Sequence, residues 1–334
     1  MMGSMMRRAM IGDSATLNVD FTSMTNGGQL ANAGFTFTNA TTTARTYINS
    51  NGLLTTATTN EPRFDHDPTT KSPRGLLIEG TATNLLLQSA DWTVSPWSKP
   101  AQITWDGTTY ATAPDGTTSA KQITVTGGAS ASISQGVTTG TNRTISLWIR
   151  AGSLTSFSVG AFDSAGTTWG NNADSTCSII SGPGSVTQQV GGLWSITGLS
   201  TTQWTRVQIF RSTTYTNLLA YPGSSSGTIN GTAYVWGMQM EAGNGASSLI
   251  PTGASQVQRL RDEVVLSNLS SISFNQSAGT VYLQVEIVEK LRGSFVPYGS
   301  FDTSGGGRCW WWLRHNHDTI VGQRILGTAF NAGG

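Results

Sequence analysis

The sequence predicts an all-β fold: a jelly-roll-type β-sandwich behind an N-terminal extended arm, followed by a second, smaller β unit. Three observations predict it. Charged residues make up only 11 % of the 334, far below the roughly 25 % usual for soluble globular chains, and Thr, Ser, Asn and 40 Gly fill the gap. Such side chains suit strand faces and turns and serve helix interiors poorly. Apolar residues also recur at alternate positions within short segments, the period that lines one face of a strand. Finally, turn signals such as Asp106-Gly107, Asp115-Gly116 and Gly127-Gly128 separate those segments, as in a two-sheet sandwich.

Residues 1–60 read as the arm. They are rich in Thr, Asn and Gly, with apolar points at Leu17, Val19, Phe21, Phe35, Phe37, Tyr47, Leu53 and Leu54. Val19 with Phe21 and Phe35 with Phe37 keep strand spacing, and Gly27-Gly28 reads as the turn between them. The segment has no long apolar run, so it is expected to gain order by adding strands or contacts to a partner. Residues 61–90 read as a connector, whose apolar runs Leu76-Leu77-Ile78 and Leu85-Leu86-Leu87 look buried.

The sandwich is expected over residues 91–247. Ile145, Leu147 and Ile149 alternate with Ser146, Trp148 and Arg150, and Val207 and Ile209 alternate with Arg206 and Gln208. One face is therefore core and the other is expected to be wetter. Residues 248–257 read as a Ser/Pro/Gly linker. Residues 258–334 read as a C-terminal β unit, a partial lectin-like sandwich opening on a strand with Val281, Leu283, Val285 and Ile287 to one side.

Lys plus Arg number 19 and Asp plus Glu 18. With no basic run, no nucleic-acid partner is expected. No apolar stretch approaches about 20 residues, so no membrane insertion is expected either. Residues 9–15 carry Gly, Asp and Ser where a secretory signal needs an apolar core, so the sequence predicts no such signal. Cys177 and Cys309 lie far apart in the chain, and both are expected to be reduced.

The chemistry-bearing residues are few. Asp65-His66-Asp67 has metal-ligand types, but Asp67 before Pro68 is ordinary turn chemistry. His315 and His317 would share a strand face, a weak metal candidate that needs further ligands or further chains. Asp163, Asp174, Glu241, Glu263 and Glu286 show no spacing that singles out a catalytic pair, and no nucleophile elbow or phosphate loop appears. The sequence therefore predicts no enzyme and no cofactor. The 11 Trp carry the better functional clue. Trp92, Trp97 and Trp105 fall in a polar, Pro-broken segment and are the candidate glycan contacts, since flat aromatic faces stack on sugar rings. Packing against neighbours is their bland alternative. Trp236 shares its strand parity with Tyr234, Met238 and Met240 and reads as core, whereas Trp148 and Trp204 fall beside their strand neighbours Arg150 and Arg206, and stacking under those arginines is their bland reading. Trp310, Trp311 and Trp312 cannot all point inward from one strand and are candidate interface residues.

Three groups of residues carry a resemblance. They are Pro62-Arg63-Phe64-Asp65 through Arg74-Gly75-Leu76-Leu77-Ile78-Glu79 and Asn84-Leu85-Leu86-Leu87; Trp236-Gly237-Met238-Gln239-Met240-Glu241-Ala242-Gly243; and Ile250-Pro251-Thr252 with Arg259. Together they resemble bacteriophage tail-fibre and head-spike-fibre proteins with a carbohydrate-binding-like jelly roll and a concanavalin-like C-terminal region. The likeness runs from about Glu61 to Tyr282, and its shared motifs look structural. It implies a structural subunit of a virion appendage, present on the virion surface after synthesis in the bacterial host cytoplasm. The expected partners are two further copies in a homotrimer, other virion proteins through the arm, and host-surface polysaccharide. A purely structural decoration or connector protein without sugar binding is the alternative reading. A capsular polysaccharide depolymerase is the second alternative. On this reading, deleting residues 1–60 should leave a soluble, β-rich remainder that no longer joins particles.

Overall fold

A computed structural model of the chain describes residues 17, 19–41, 44–162, 174–189 and 192–266, with four further strand backbones at 278–281, 298–303, 307–312 and 328–331. After the short helix α1 (Gly27–Asn32), six small strands precede the sandwich: β1 (Phe35–Thr38), β2 (Thr46–Ile48), β3 (Leu54–Thr56), β4 (Arg63–His66), β5 (Pro73–Leu77) and β6 (Ala82–Asn84). The sandwich comprises β7 (Ile103–Thr104), β8 (Tyr110–Ala111), β9 (Ala120–Ala129), β10 (Ile133–Gly140), β11 (Arg143–Ala151) and β12 (Phe157–Phe162), then β13 (Ser175–Ser181), β14 (Ser185–Gln188), β15 (Leu193–Thr197), β16 (Thr205–Arg211), β17 (Tyr215–Pro222) and β18 (Thr228–Ala242). Beyond it come β19 (Val257–Arg259), β20 (Glu263–Leu266), β21 (Ala278–Val281), β22 (Tyr298–Thr303), β23 (Gly307–Trp312) and β24 (Thr328–Asn331).

Two antiparallel sheets make the sandwich. The smaller runs β10-β17-β12-β15-β14, and the larger runs β13-β16-β11-β18-β9-β7 with β8 added on β9. From β9 to β13 the chain changes sheet at every strand, so each sheet is built from segments distant in sequence. Ile123, Ile133, Ile145, Leu147, Ile149, Phe157, Val159, Val207, Ile209 and Leu218 fill the space between the sheets, the inward parity that alternation predicts in β11 and β16. Each such side chain contributes roughly 1.5–3 kcal/mol of transfer free energy.

The opposite face of the larger sheet is not wet. Trp148, Tyr234 and Trp236 are buried there beneath Leu54, Ala111, Ala113, Ala120 and Leu249. The expected face of Trp236 is also corrected. Ala233, Val235, Met238 and Met240 point into the inter-sheet core while Tyr234 and Trp236 point away from it, so strand parity reverses between Trp236 and Met238. The β11–β18 register shifts at this point, and Gly237 occupies a left-handed conformation at φ +63. A β-bulge there lets one strand feed both layers.

Residues 35–60 are not an extended arm awaiting a partner. β1 pairs with β20, setting Phe35 against Leu266 and Phe37 against Val264, and Phe37 packs with Leu30 and Phe64. Leu54 donates its N–H to Pro114 O, and Ala57 to Arg45 O. The backbone groups that composition left without partners find them within this chain. Gly27-Gly28, expected as a turn, opens α1, where Asn26 accepts from Gln29 N at 3.1 Å as the N-cap. The expected linker is likewise corrected: Leu249 and Ile250 are fully buried, and β19 pairs with β6. Residues 257–266 thus complete the layers begun by residues 35–84. Farther on, β21 pairs with β24 and β22 with β23.

Two outcomes follow. Gly237→Ala places a Cβ 2.5 Å from Trp148 Cε3 on a left-handed residue, which should cost about 2 kcal/mol or more, read as a lowered urea midpoint. Deleting residues 1–60 removes Arg45 and Leu54 from buried sites. Contrary to the expectation from composition, it should abolish cooperative thermal unfolding rather than leave a stable β-rich remainder.

Candidate functional site

The residues that carry the resemblance are far apart in sequence and meet in one place. Arg63 in β4 reaches Glu79 at 2.5 Å and also pairs with Asp262, while Arg259 in β19 reaches Glu79 at 2.9 Å and Arg45 reaches Asp262 at 3.3 Å. All five side chains are at most 7 % exposed. A charge so far from water is costly unless most of its remaining donors and acceptors are filled, and here only the Nε groups of Arg45, Arg63 and Arg259 go without a partner among the buried donors of these arginines. Glu79 accepts from Ser248 N at 2.7 Å and Ser248 Oγ at 2.6 Å, and Asp262 from Asn39 Nδ2 at 2.8 Å and Glu79 N at 2.9 Å. Arg45 donates to Thr58 O and Glu61 O, Arg63 to Thr46 O, and Arg259 to Gly80 O.

Amides and a third carboxylate extend the junction into the sandwich. Asn84 donates to Ile250 O at 2.9 Å and accepts from Met240 N at 3.1 Å. Gln239 accepts from Ile250 N at 2.6 Å and donates to Glu241 at 3.0 Å. Glu241 also accepts from Ser247 Oγ at 2.6 Å. Beside this network, Thr252 donates to Leu86 O at 2.7 Å and exchanges bonds with Ser89. These bonds bind the chain entering the sandwich to the chain leaving it. The arrangement is a clasp.

The carboxylates of the clasp differ in their electrostatics. Burial pushes Glu79 up, but Arg259 and Arg63, with the bonds from Ser248, hold it below its ordinary 4.5. At Glu241 burial wins over the Ser247 bonds and the value is raised. Burial likewise raises Asp65 despite the N–H that Ile48 donates to it.

The tryptophans expected to contact glycan lie mostly inside. Trp92 is 1 % and Trp97 8 % exposed within the inter-sheet core, so neither ring has a face for a sugar and the glycan expectation is corrected for both. Their indole N–H groups explain how a polar, Pro-broken segment could bury them: Trp92 donates to Lys121 O at 3.4 Å, and Trp97 to Leu87 O and Gln88 O, both at 3.1 Å. Trp105 is half-buried, with Lys121 Nζ 4.3 Å from its ring centroid and Tyr110 edge-on at 5.4 Å. Trp148 and Trp204 lie against arginines, but with the partners exchanged across β11 and β16: Arg206 sits 4.3 Å from the Trp148 ring and Arg150 5.3 Å from that of Trp204.

The backbones of Trp310, Trp311 and Trp312 lie in β23 opposite Ser300, Gly299 and Tyr298; their side chains lie outside the described residues, as do His315 and His317. No group of three metal-ligand side chains exists among the described residues. Asp67 instead caps its own turn, accepting from Thr69 N and Thr70 N. Cys177 is a free thiol that burial pushes up to about 12, an unreactive state.

No family model and no curated protein matches the sequence.

The clasp gives opposite expectations for its two glutamates. Glu79 is depressed, so its stabilisation is complete above pH 4.5 and is lost as pH falls through its lower folded value. Glu79→Gln should therefore cost about 3–5 kcal/mol at neutral pH by leaving Arg63 and Arg259 undercompensated. Glu241 is raised, so its ionisation opposes folding increasingly as pH rises above 4.5. Glu241→Gln should cost less than about 1 kcal/mol at neutral pH. Urea titrations of both variants between pH 4 and 8, roughly spanning the window, compare them.

Proposed function

We propose that this chain is a structural subunit of a bacteriophage virion appendage, a fibre or spike, displaying its β-sandwich toward the host surface. The observation that carries the reading is the convergence of Arg63, Glu79, Asn84, Gln239, Glu241, Ile250 and Arg259, buried members of the fibre-like motifs, on one clasp. A motif whose members hold the two ends of a sandwich together serves display and mechanical continuity. It gives a sandwich a fixed orientation on whatever precedes and follows it in the chain. A near-neutral surface rich in hydroxyls and amides suits contact with neutral or weakly charged polymer and resists nonspecific ionic adhesion.

Host-surface polysaccharide remains the ligand class this reading favours, with weak single sites strengthened by multivalency of roughly 10²–10⁴. The burial of Trp92 and Trp97 favours a second reading, a connector or decoration subunit without sugar binding, because it removes two of the three rings first proposed for the task. The chain acts in either case by binding and not by turnover.

The appendage reading expects a homotrimer. Mass measurement of the purified full-length chain at micromolar concentration should give three times its 35.2 kDa, and antibodies to the sandwich should label intact particles. A monomer that labels no particle overturns it.

A further inference from the structure

One arginine on the outward face of the larger sheet has no acceptor. Arg150 lies opposite Tyr234 in the β11–β18 register. Its guanidinium carbon is 4.7 Å from the Tyr234 ring centroid and 5.3 Å from that of Trp204. The two rings stand at 71° with centroids 6.5 Å apart, so the cation sits in an aromatic corner. Both walls are fixed: Trp204 donates its indole N–H to Thr112 O at 2.8 Å, and the Tyr234 hydroxyl accepts from Gln122 at 2.8 Å. Among the described arginines, Arg45, Arg63, Arg74, Arg259 and Arg261 meet carboxylates, while Arg143, Arg206 and Arg211 meet carbonyls. Arg150 alone among them makes only ring contacts; its Nε is buried without a partner, as are those of Arg45, Arg63 and Arg259, so what sets it apart is that its terminal nitrogens meet no acceptor among the described residues.

A half-buried guanidinium held by aromatic faces keeps its N–H fork free for a planar anion, and carboxylate matches that fork with two parallel bonds. A single cation on a nearly neutral chain fits one carboxylate per ligand unit better than a phosphate polymer, which calls for several. The rim is hydroxyl and amide: the half-buried Gln122, and the turn at Ser200, Thr202 and Gln203, which the bond from Ala151 N to Ser200 O sets beside the end of β11. Ser200 Oγ is spent on Thr202 N and Gln203 N, while the exposed Thr202 and Gln203 side chains supply a hydroxyl and an amide, groups that sugar hydroxyls bond.

We propose that this corner is a binding subsite for an acidic saccharide, with Arg150 taking the carboxylate of a uronic-acid unit and Trp204 contacting its ring. The proposal rests on the reading of the sandwich as a glycan-displaying module and names the sugar class.

The purified full-length chain is tested on an array of uronate-containing oligosaccharides, their methyl esters and a polyglutamate peptide, with hits measured by calorimetry. The expected result is binding of at least one acidic oligosaccharide, at least tenfold weaker for its ester and for Arg150→Gln, and partly restored by Arg150→Lys. Trp204→Phe, which keeps a ring against the cation but loses the bond to Thr112 O, guards against misfolding and should weaken binding while the chain still unfolds cooperatively. Equal binding by Arg150→Gln or by the ester, or equal binding of polyglutamate, overturns the site. Binding of neutral sugars alone removes this subsite and leaves the glycan reading standing. Binding of no saccharide at all by a chain that labels particles removes both, leaving the connector.

Discussion

Arg63 is held by two carboxylates that come from opposite ends of the sandwich's sequence, Glu79 before it and Asp262 after it, and the rest of the structure is arranged to make that burial possible. Removing either carboxylate strands a charge away from water, which costs several kcal/mol. Arg45 and Arg259 add two more cations, so the site forms only when residues near 45, 63, 79, 248, 259 and 262 arrive together. A requirement of that kind does not need to add net stability to be effective. It makes alternative registers of β4, β6 and β19 costly, because each would leave an unpaired charge inside.

The clasp explains the layering around it. With the chain before and after the sandwich tied at one place, Leu54 and Leu249 are brought onto the larger sheet and cover Trp148 and Trp236. A sheet face that would otherwise be solvated becomes a second core. The bulge at Gly237 serves the same arrangement, because without the change of parity Met238 and Met240 could not enter the inter-sheet core after Trp236 had left it. Arg206 completes the layer by lying on Trp148 and donating to Ser247 O at 2.7 Å, linking the sheet back toward the clasp. Arg150, one pair of strand residues farther from that covered region, receives no such acceptor. The contrast between the two arginines follows from their neighbours: Arg206 reaches the carbonyl of Ser247, whereas Arg150 meets only the rings of Tyr234 and Trp204.

An appendage subunit of the kind proposed has to transmit orientation from its attachment to its tip. The clasp supplies this by rigidity of a buried, directional network, and the exterior remains poor in charge. The aromatic content follows from the same construction. Trp92 and Trp97 close the inter-sheet core and Trp148 and Trp236 the second one, while Trp105 and Trp194 lie at the margin of the first and Trp204 at that of the second.

The all-β class, the sandwich strands and their inward residues were legible in the sequence, because Ile145, Leu147, Ile149, Val207 and Ile209 obey a local period set by strand geometry alone. That Trp148 and Trp204 share a face with arginines was legible as well, but the stacked pairs, Arg206 with Trp148 and Arg150 with Trp204, cross from strand to strand and do not follow from alternation within one. What lies beyond local periodicity was decided only by the tertiary structure. Burial of Trp92 and Trp97 depends on carbonyls of Lys121, Leu87 and Gln88 that happen to face them after folding. The arm and linker looked detachable because Thr, Asn, Ser and Gly carry little apolar signal, while the buried partners of Arg45, Arg63 and Arg259 lie as far as 217 residues away along the chain, the interval from Arg45 to Asp262. A charge in a sequence reads as surface. Only the fold shows whether it has been brought together with enough opposite charge and enough hydrogen bonds to be left inside.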